Sequence, residues 1–254
     1  MNFEKPKDKG LIMAARYAFM PNKLRYCGGD NNSEIFNYVT HHTSDNGLKE
    51  LLEEFATMFP YLKLIADANK IVDPFNERVV EAYWIGNDLL KNVDMNDFYR
   101  HMLDKQQLKK KLPPKLLEKI FGKIPLGAKP HHSWHVLNIS RQTGQYSMDY
   151  VLKTIEKCRI GWGRIKEIKK QSTGLVSTVI ITHKPIEISD NKFVLGNEID
   201  QEVWLEFNKQ SFVDQIKIGD FVSVHWDWVC DFLTKEQVVN LNKWTIHNLN
   251  LVNQ

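Results

Sequence analysis

The sequence predicts an α+β protein, with an all-α N-terminal domain over residues 1–155 and a small OB-like β-barrel with a C-terminal helix over 156–254. Three observations predict this. Apolar residues in the first part recur at intervals of three and four; beyond Cys158 the runs become β-branched or alternating; and after Asp231 a capped helical pattern returns. With 254 residues, 43% of them hydrophobic, the chain is long enough for one large or two small domains and too apolar for wholesale disorder.

Each element follows from local chemistry. Leu11, Ala14, Ala15, Ala18 and Phe19 define a first helix that Pro21 is expected to stop. Ser44 or Asp45 caps a second segment, striped by Leu48, Leu51, Leu52, Phe55 and Met58. Asp73-Pro74 predicts a third helix start, with apolar positions running from Val79 to Leu89. Further helices are expected at 94–104 with Asp94 as cap, at 113–121 and at 146–157. Strands are expected in Leu175–Ile181 and Glu202–Phe207, set off by turns at Ser172-Thr173-Gly174, Ser189-Asp190-Asn191 and Ile218-Gly219-Asp220. Closing such short strands into a barrel removes exposed edges. Thr234 and Gln237 stand at capping-box spacing before a terminal helix carrying Val238, Val239, Leu241 and Trp244.

Composition excludes several classes. A net charge of +3 neither demands nor forbids a polyanionic partner. Three cysteines (Cys27, Cys158 and Cys230) do not make a disulfide framework. The start lacks an apolar signal core, and no run approaches the roughly 18 apolar residues of a membrane span. A cytoplasmic protein is therefore expected.

The chemistry concentrates in two segments. Cys158 stands where a helix ends and a strand begins, with Gly161 and Gly163 flanking Trp162. Ile218-Gly219-Asp220 then feeds the strand Phe221-Val222-Ser223-Val224, ending in His225. If these two strands are neighbours, Cys158 and His225 approach each other at one mouth of the barrel, a thiolate–imidazole pair suited to iron or zinc.

On these residues, 158–245 resemble the HypC/HupF type of [NiFe]-hydrogenase maturation chaperone. Cys158 with Gly163-Arg164-Ile165 is similar to the family's opening, and Lys217 to His225 to its later strand; Thr234-Lys235-Glu236-Gln237 falls where its terminal helix starts. The resemblance implies that Cys158 and His225 hold iron bearing cyanide and carbon monoxide. It further implies docking to hydrogenase maturation factors or the hydrogenase large subunit, with Gly161, Trp162, Gly163, Trp226 and Trp228 as docking residues. The family's cysteine is N-terminal, whereas Cys158 follows a long domain, one that resembles an uncharacterised prokaryotic family.

Two other readings stand beside this one. His131, His132 and His135, with His41 and His42, supply ligands for a metal-dependent enzyme site in the helical domain; His131 and His135 share a face if the segment is helical. Eight lysines between Lys105 and Lys129 form a basic stretch with poor aromatic interleaving, which makes a nucleic-acid adaptor the weakest reading. Trp204, Trp226, Trp228 and Phe232 are expected to fill a core or the seam between the two parts, or to mark a partner surface if exposed.

Overall fold

The computed structural model of the chain describes residues 8–139, 148–170 and 176–254. Its N-terminal part is helical: α1 (Lys9–Lys23), α2 (Asn32–Thr40), α3 (Asn46–Glu53), α4 (Met58–Ala68), α5 (Glu77–Trp84), α6 (Met95–Asp104), α7 (Leu108–Lys111), α8 (Pro114–Phe121), α9 (His132–Asn138) and α10 (Met148–Cys158). A strand-rich part follows, with β1 (Gly161–Lys170), β2 (Val176–His183), β3 (Ile186–Ser189), β4 (Lys192–Leu195), β5 (Ile199–Phe207), β6 (Gln210–Ser211), β7 (Phe221–His225) and β8 (Trp228–Phe232), before α11 (Lys235–Val252).

Capping chemistry decides several boundaries. Asp45 accepts from the Leu48 amide and Asp94 from Asn96, so both expected caps operate. Thr234 and Gln237 form the reciprocal capping box that opens α11. The stripe from Leu48 to Met58 is divided between α3 and α4. The expected start at Asp73-Pro74 is a turn, in which the Phe75 amide donates to Asp73; α5 begins only after Asn76. Pro21 does not stop α1 but lies in its last turn. The expected turn at 172–174 lies outside the described residues.

The main sheet runs β2-β1-β7-β8-β5-β6, and β5 also pairs with β2. β5 and β8 meet through a single parallel pair, Trp204 and Trp228. β1 and β7 are antiparallel neighbours, with Gly161 opposite Val224, which meets the condition for Cys158 and His225 to approach each other. β3 and β4 form a separate hairpin.

The boundary expected at 155/156 does not divide the core. One apolar cluster runs from Leu11 through Trp134 to Phe212, Trp228, Cys230 and Trp244, and a smaller one of Ile165, Val179, Val203, Val222 and Val229 fills the sheet's interior. Phe19, Phe36, Phe212 and Trp228 pack ring against ring across the seam. Burial on this scale is the main force holding the two parts together. Tyr17 adds a hydrogen bond to Ser223 (2.9 Å), and Arg16 a 2.7 Å ion pair to Asp231.

Candidate metal centre

Three elements end at one point in the seam. α9 begins with His132, α10 ends with Cys158, and β7 ends with His225. The ligand atoms of these three residues all lie within 4.8 Å of one another. The lead pair read from the sequence is therefore brought together, and His132 joins it from the helical part. The position differs from expectation in one respect. His225 is only 1% exposed and Cys158 is half-buried, so the cluster sits inside the seam rather than on an open lip.

Backbone contacts fix this convergence. The Trp226 amide donates to the Lys157 carbonyl (2.8 Å), tying the residue after His225 to the residue before Cys158. Lys157 and Asp227 add an ion pair at 2.6 Å. His225 and Trp228 face each other across β7 and β8, so Trp226-Asp227 is a two-residue turn, with φ of 52° and 60°. Such turns need left-handed backbone at both positions and favour Asn, Asp and Gly. The turn Asp190-Asn191 complies at both positions and Asn208-Lys209 at its first. A tryptophan in this conformation is a strained exception, held here by the Lys157 contact and by a stack on Tyr26 with centroids 4.4 Å apart.

Hydrogen bonding sets the tautomers. His225 Nδ1 lies 2.7 Å from the Tyr17 carbonyl, which can only accept, so Nδ1 carries the proton and Nε2 presents its lone pair. That Nε2 is buried beside the Cys158 backbone and makes no well-formed hydrogen bond. A ring whose far nitrogen donates to a backbone carbonyl while the near one stays free is arranged as metal-binding histidines are. Pro21 contributes to this: α-helical bonding would send the amide of residue 21 to Tyr17, and proline has none to send. His132 donates from Nε2 to the Cys158 carbonyl (2.8 Å), and its Nδ1 is 3.2 Å from the Tyr83 hydroxyl. It could act as a metal ligand only by giving up one of these bonds.

The cluster is uncharged without metal. Burial lowers the pKa of His225 to about 4 and that of His132 well below the ordinary value, the neighbouring imidazole of His225 adding to the effect on His132. Burial pushes the Cys158 thiol up to about 12, with the Trp226 indole working weakly against the rise. Two neutral imidazoles are ready donors. The thiol becomes one only when a cation displaces its proton, as metal ions do.

The remaining candidates go elsewhere. His131 is the N-cap of α9; it accepts from the Ser133 amide and stacks on Trp244, 5.7 Å between centroids. His135 meets Tyr61 (3.3 Å) on another side of the helix, so the expected shared face of His131 and His135 does not form. His41 is exposed and bonds the Asn37 carbonyl, while His42 lies 3.4 Å from Asp214. Of the five histidines only His132 is brought to Cys158 and His225; α9 starts one residue after His131, which separates His131 from His132 and His135.

Of the proposed docking residues, Trp226 and Trp228 are buried, at 8% and 3% exposure. They pack within the seam instead of offering a surface. Gly161 and Gly163 are buried in the sheet, and Trp162 is half-exposed. Trp204 and Phe232, expected in a core or seam or else on a partner surface, are 43% and 37% exposed. The lysine stretch is not one face: Lys123 is buried, with its ammonium 3.0 Å from Asn138, and Lys129 reaches the Val93 carbonyl. Among the described residues no helix is long and apolar enough to cross a membrane.

The profile of a family of unknown function, DUF6390, matches residues 6–254, and the chain belongs to that family. No curated protein and no solved structure matches it.

Proposed function

We propose that this DUF6390 protein is an accessory chaperone of metallocentre assembly that holds a transition-metal ion through Cys158, His225 and His132, and that its curled sheet acts as an OB-like barrel carrying the site. The observation that carries this reading is the convergence of one sulfur and two imidazoles within 4.8 Å, one imidazole nitrogen being buried without a well-formed hydrogen bond. Three protein donors leave a coordination position open, and ligand exchange with a client requires one. Iron is the preferred cargo and zinc the alternative.

The resemblance of residues 158–245 to the HypC/HupF chaperones supports [NiFe]-hydrogenase maturation as the setting, with maturation factors or the large subunit as partners. Charge balance supports cargo that brings its own anions. A divalent ion carries two positive charges, and the cluster returns only one, from the Cys158 thiolate. Leaving a net charge in a seam this dry is unfavourable. A single cyanide ligand on the iron would neutralise it.

Anaerobic purification followed by metal analysis and infrared spectroscopy tests the reading. Cys158→Ala and His225→Gln are expected to lose the metal while keeping the fold, His132→Gln to weaken its retention, and His131→Gln to leave it unchanged. Iron or zinc retained at the wild-type level in Cys158→Ala refutes the carrier role. Metal lost in His131→Gln but kept in Cys158→Ala would instead favour the metalloenzyme reading.

A further inference from the structure

An open cleft of about 850 Å³ runs along the outer face of β1 and β2, between the loop at Ile218 and α11. It is separate from the histidine–cysteine cluster and shares none of its three residues. Its floor is the half-exposed indole of Trp162, with Phe221 beside it. Its two lips are apolar and open to solvent: Ile218 is 70% exposed and Val239 is 64% exposed. Large aliphatic side chains so exposed on opposite sides of one groove mark a contact surface more than a solvated one.

Charge on the walls defines what fits. Arg164 and Lys184 both line the cleft, both are exposed, and neither is within ion-pair distance of a carboxylate among the described residues. Arg164 spends only its Nε, on the Gly219 carbonyl at 3.3 Å, which orients the guanidinium and leaves its outer nitrogens free. Lys166, the third cation, is neutralised by Asp200. Glu198 is the one acidic lining residue. Because β1 is hydrogen-bonded on both edges, to β2 and to β7, a ligand cannot add as a strand and must bind by its side chains.

We propose that this cleft docks an acidic polypeptide segment of a partner protein, one that inserts apolar side chains between Ile218, Trp162 and Val239 and sets carboxylates against Arg164 and Lys184. The apolar anchors supply affinity and the cations supply orientation and association rate. The site needs no metal and stands whether or not the histidine–cysteine cluster holds one.

The test uses the full chain and a fluorescein-labelled pool of decapeptides with Leu, Val, Glu and Asp at random positions, read by fluorescence anisotropy. A matched pool with Lys in place of the acids is the control. Saturable binding is expected for the acidic pool only, weakening as salt rises. The double variant Arg164→Glu, Lys184→Glu, at exposed positions, is expected to weaken it at least about tenfold, as is Ile218→Ser, Val239→Ser. Lys109→Glu, Lys110→Glu, Lys111→Glu, at residues that do not line the cleft, leaves it unchanged. Overturning results are no saturable binding below about 1 mM, a Kd at which association is near the weakest measurable, equal binding of the basic pool, or binding untouched by both cleft variants. Self-association abolished by Ile218→Ser, Val239→Ser would also overturn it, assigning the cleft to a second copy of the chain.

Discussion

Lowering the pH from 7 to 5 is expected to remove a large part of the protein's stability through histidines held neutral inside it. Burial depresses His101 to about 4 and both His131 and His135 to about 3, against an ordinary value of 6.5. Nearby cations or imidazoles reinforce each: Lys105 at His101, His247 at His131, and Lys111 at His135. The folded pKa lies below the unfolded one, so the stability these groups contribute is complete above pH 6.5. It is lost as the pH falls towards the folded values, because the unfolded chain takes up protons that the native chain refuses. At about 1.4 kcal/mol per unit below 6.5, each of these histidines removes about 2 kcal/mol by pH 5 and the three together about 6 kcal/mol, to which His132 and His225, lowered by the same burial, add in the metal-free protein. The raised carboxyl of Asp231 acts in the opposite sense. A loss of this size compares with a whole domain's net stability of roughly 5–15 kcal/mol. Urea unfolding of chelator-treated protein, followed by tryptophan fluorescence at both pH values, measures it. His135→Gln should reduce the pH dependence by about 2 kcal/mol. Stability constant within about 1 kcal/mol between pH 7 and 5 would refute the reasoning.

Three further outcomes are expected. Gly86→Ala, at φ +93° and with a Cβ placed 2.0 Å from the Trp244 ring, should destabilise by about 3 kcal/mol or more, measured by thermal melting; a change under 1 kcal/mol would mean that the α5–α11 contact yields easily. Thr234→Ala should lower stability by about 1 kcal/mol through loss of the α11 capping box, whereas Thr234→Ser should not. Iodoacetamide labelling at mild alkaline pH, read by mass spectrometry, should modify exposed Cys27 first, Cys158 more slowly, and buried Cys230 only on unfolding; Cys230 reacting as fast as Cys27 would contradict the packing around α1 and β8.

Features encoded over a few residues were legible in the chain. The caps at Asp45, Asp94 and Thr234 use side chains that reach amides two or three positions away, so spacing alone reveals them. The junction at Cys158 and the alternation ending at His225 were equally local, and pairing of β1 with β7 carried them to the same place. α2 is hard to read from the chain because it is short, nine residues, and only Ile35 and Val39 of it are fully buried. The histidine group was misassigned for a similar reason. Its i, i+4 spacing suggested His131 with His135, whereas α9 starts at His132, so that His131 caps it and His132 alone faces the sheet. A one-residue shift in a helix start turns a side chain by about 100°, enough to change which residue enters a site.

The sequence by itself determined that helices precede strands, where most helices begin, and that Cys158 and His225 end adjoining elements. Only the tertiary structure decided that the two parts share one core with Trp228 in it, that Trp226 is buried while Trp204 is exposed, and that His132 joins Cys158 and His225. The reason is one of range. Caps, turns and periodicity act between neighbours along the chain, while the seam is set by contacts between side chains up to about two hundred positions apart, such as Tyr17 and Ser223.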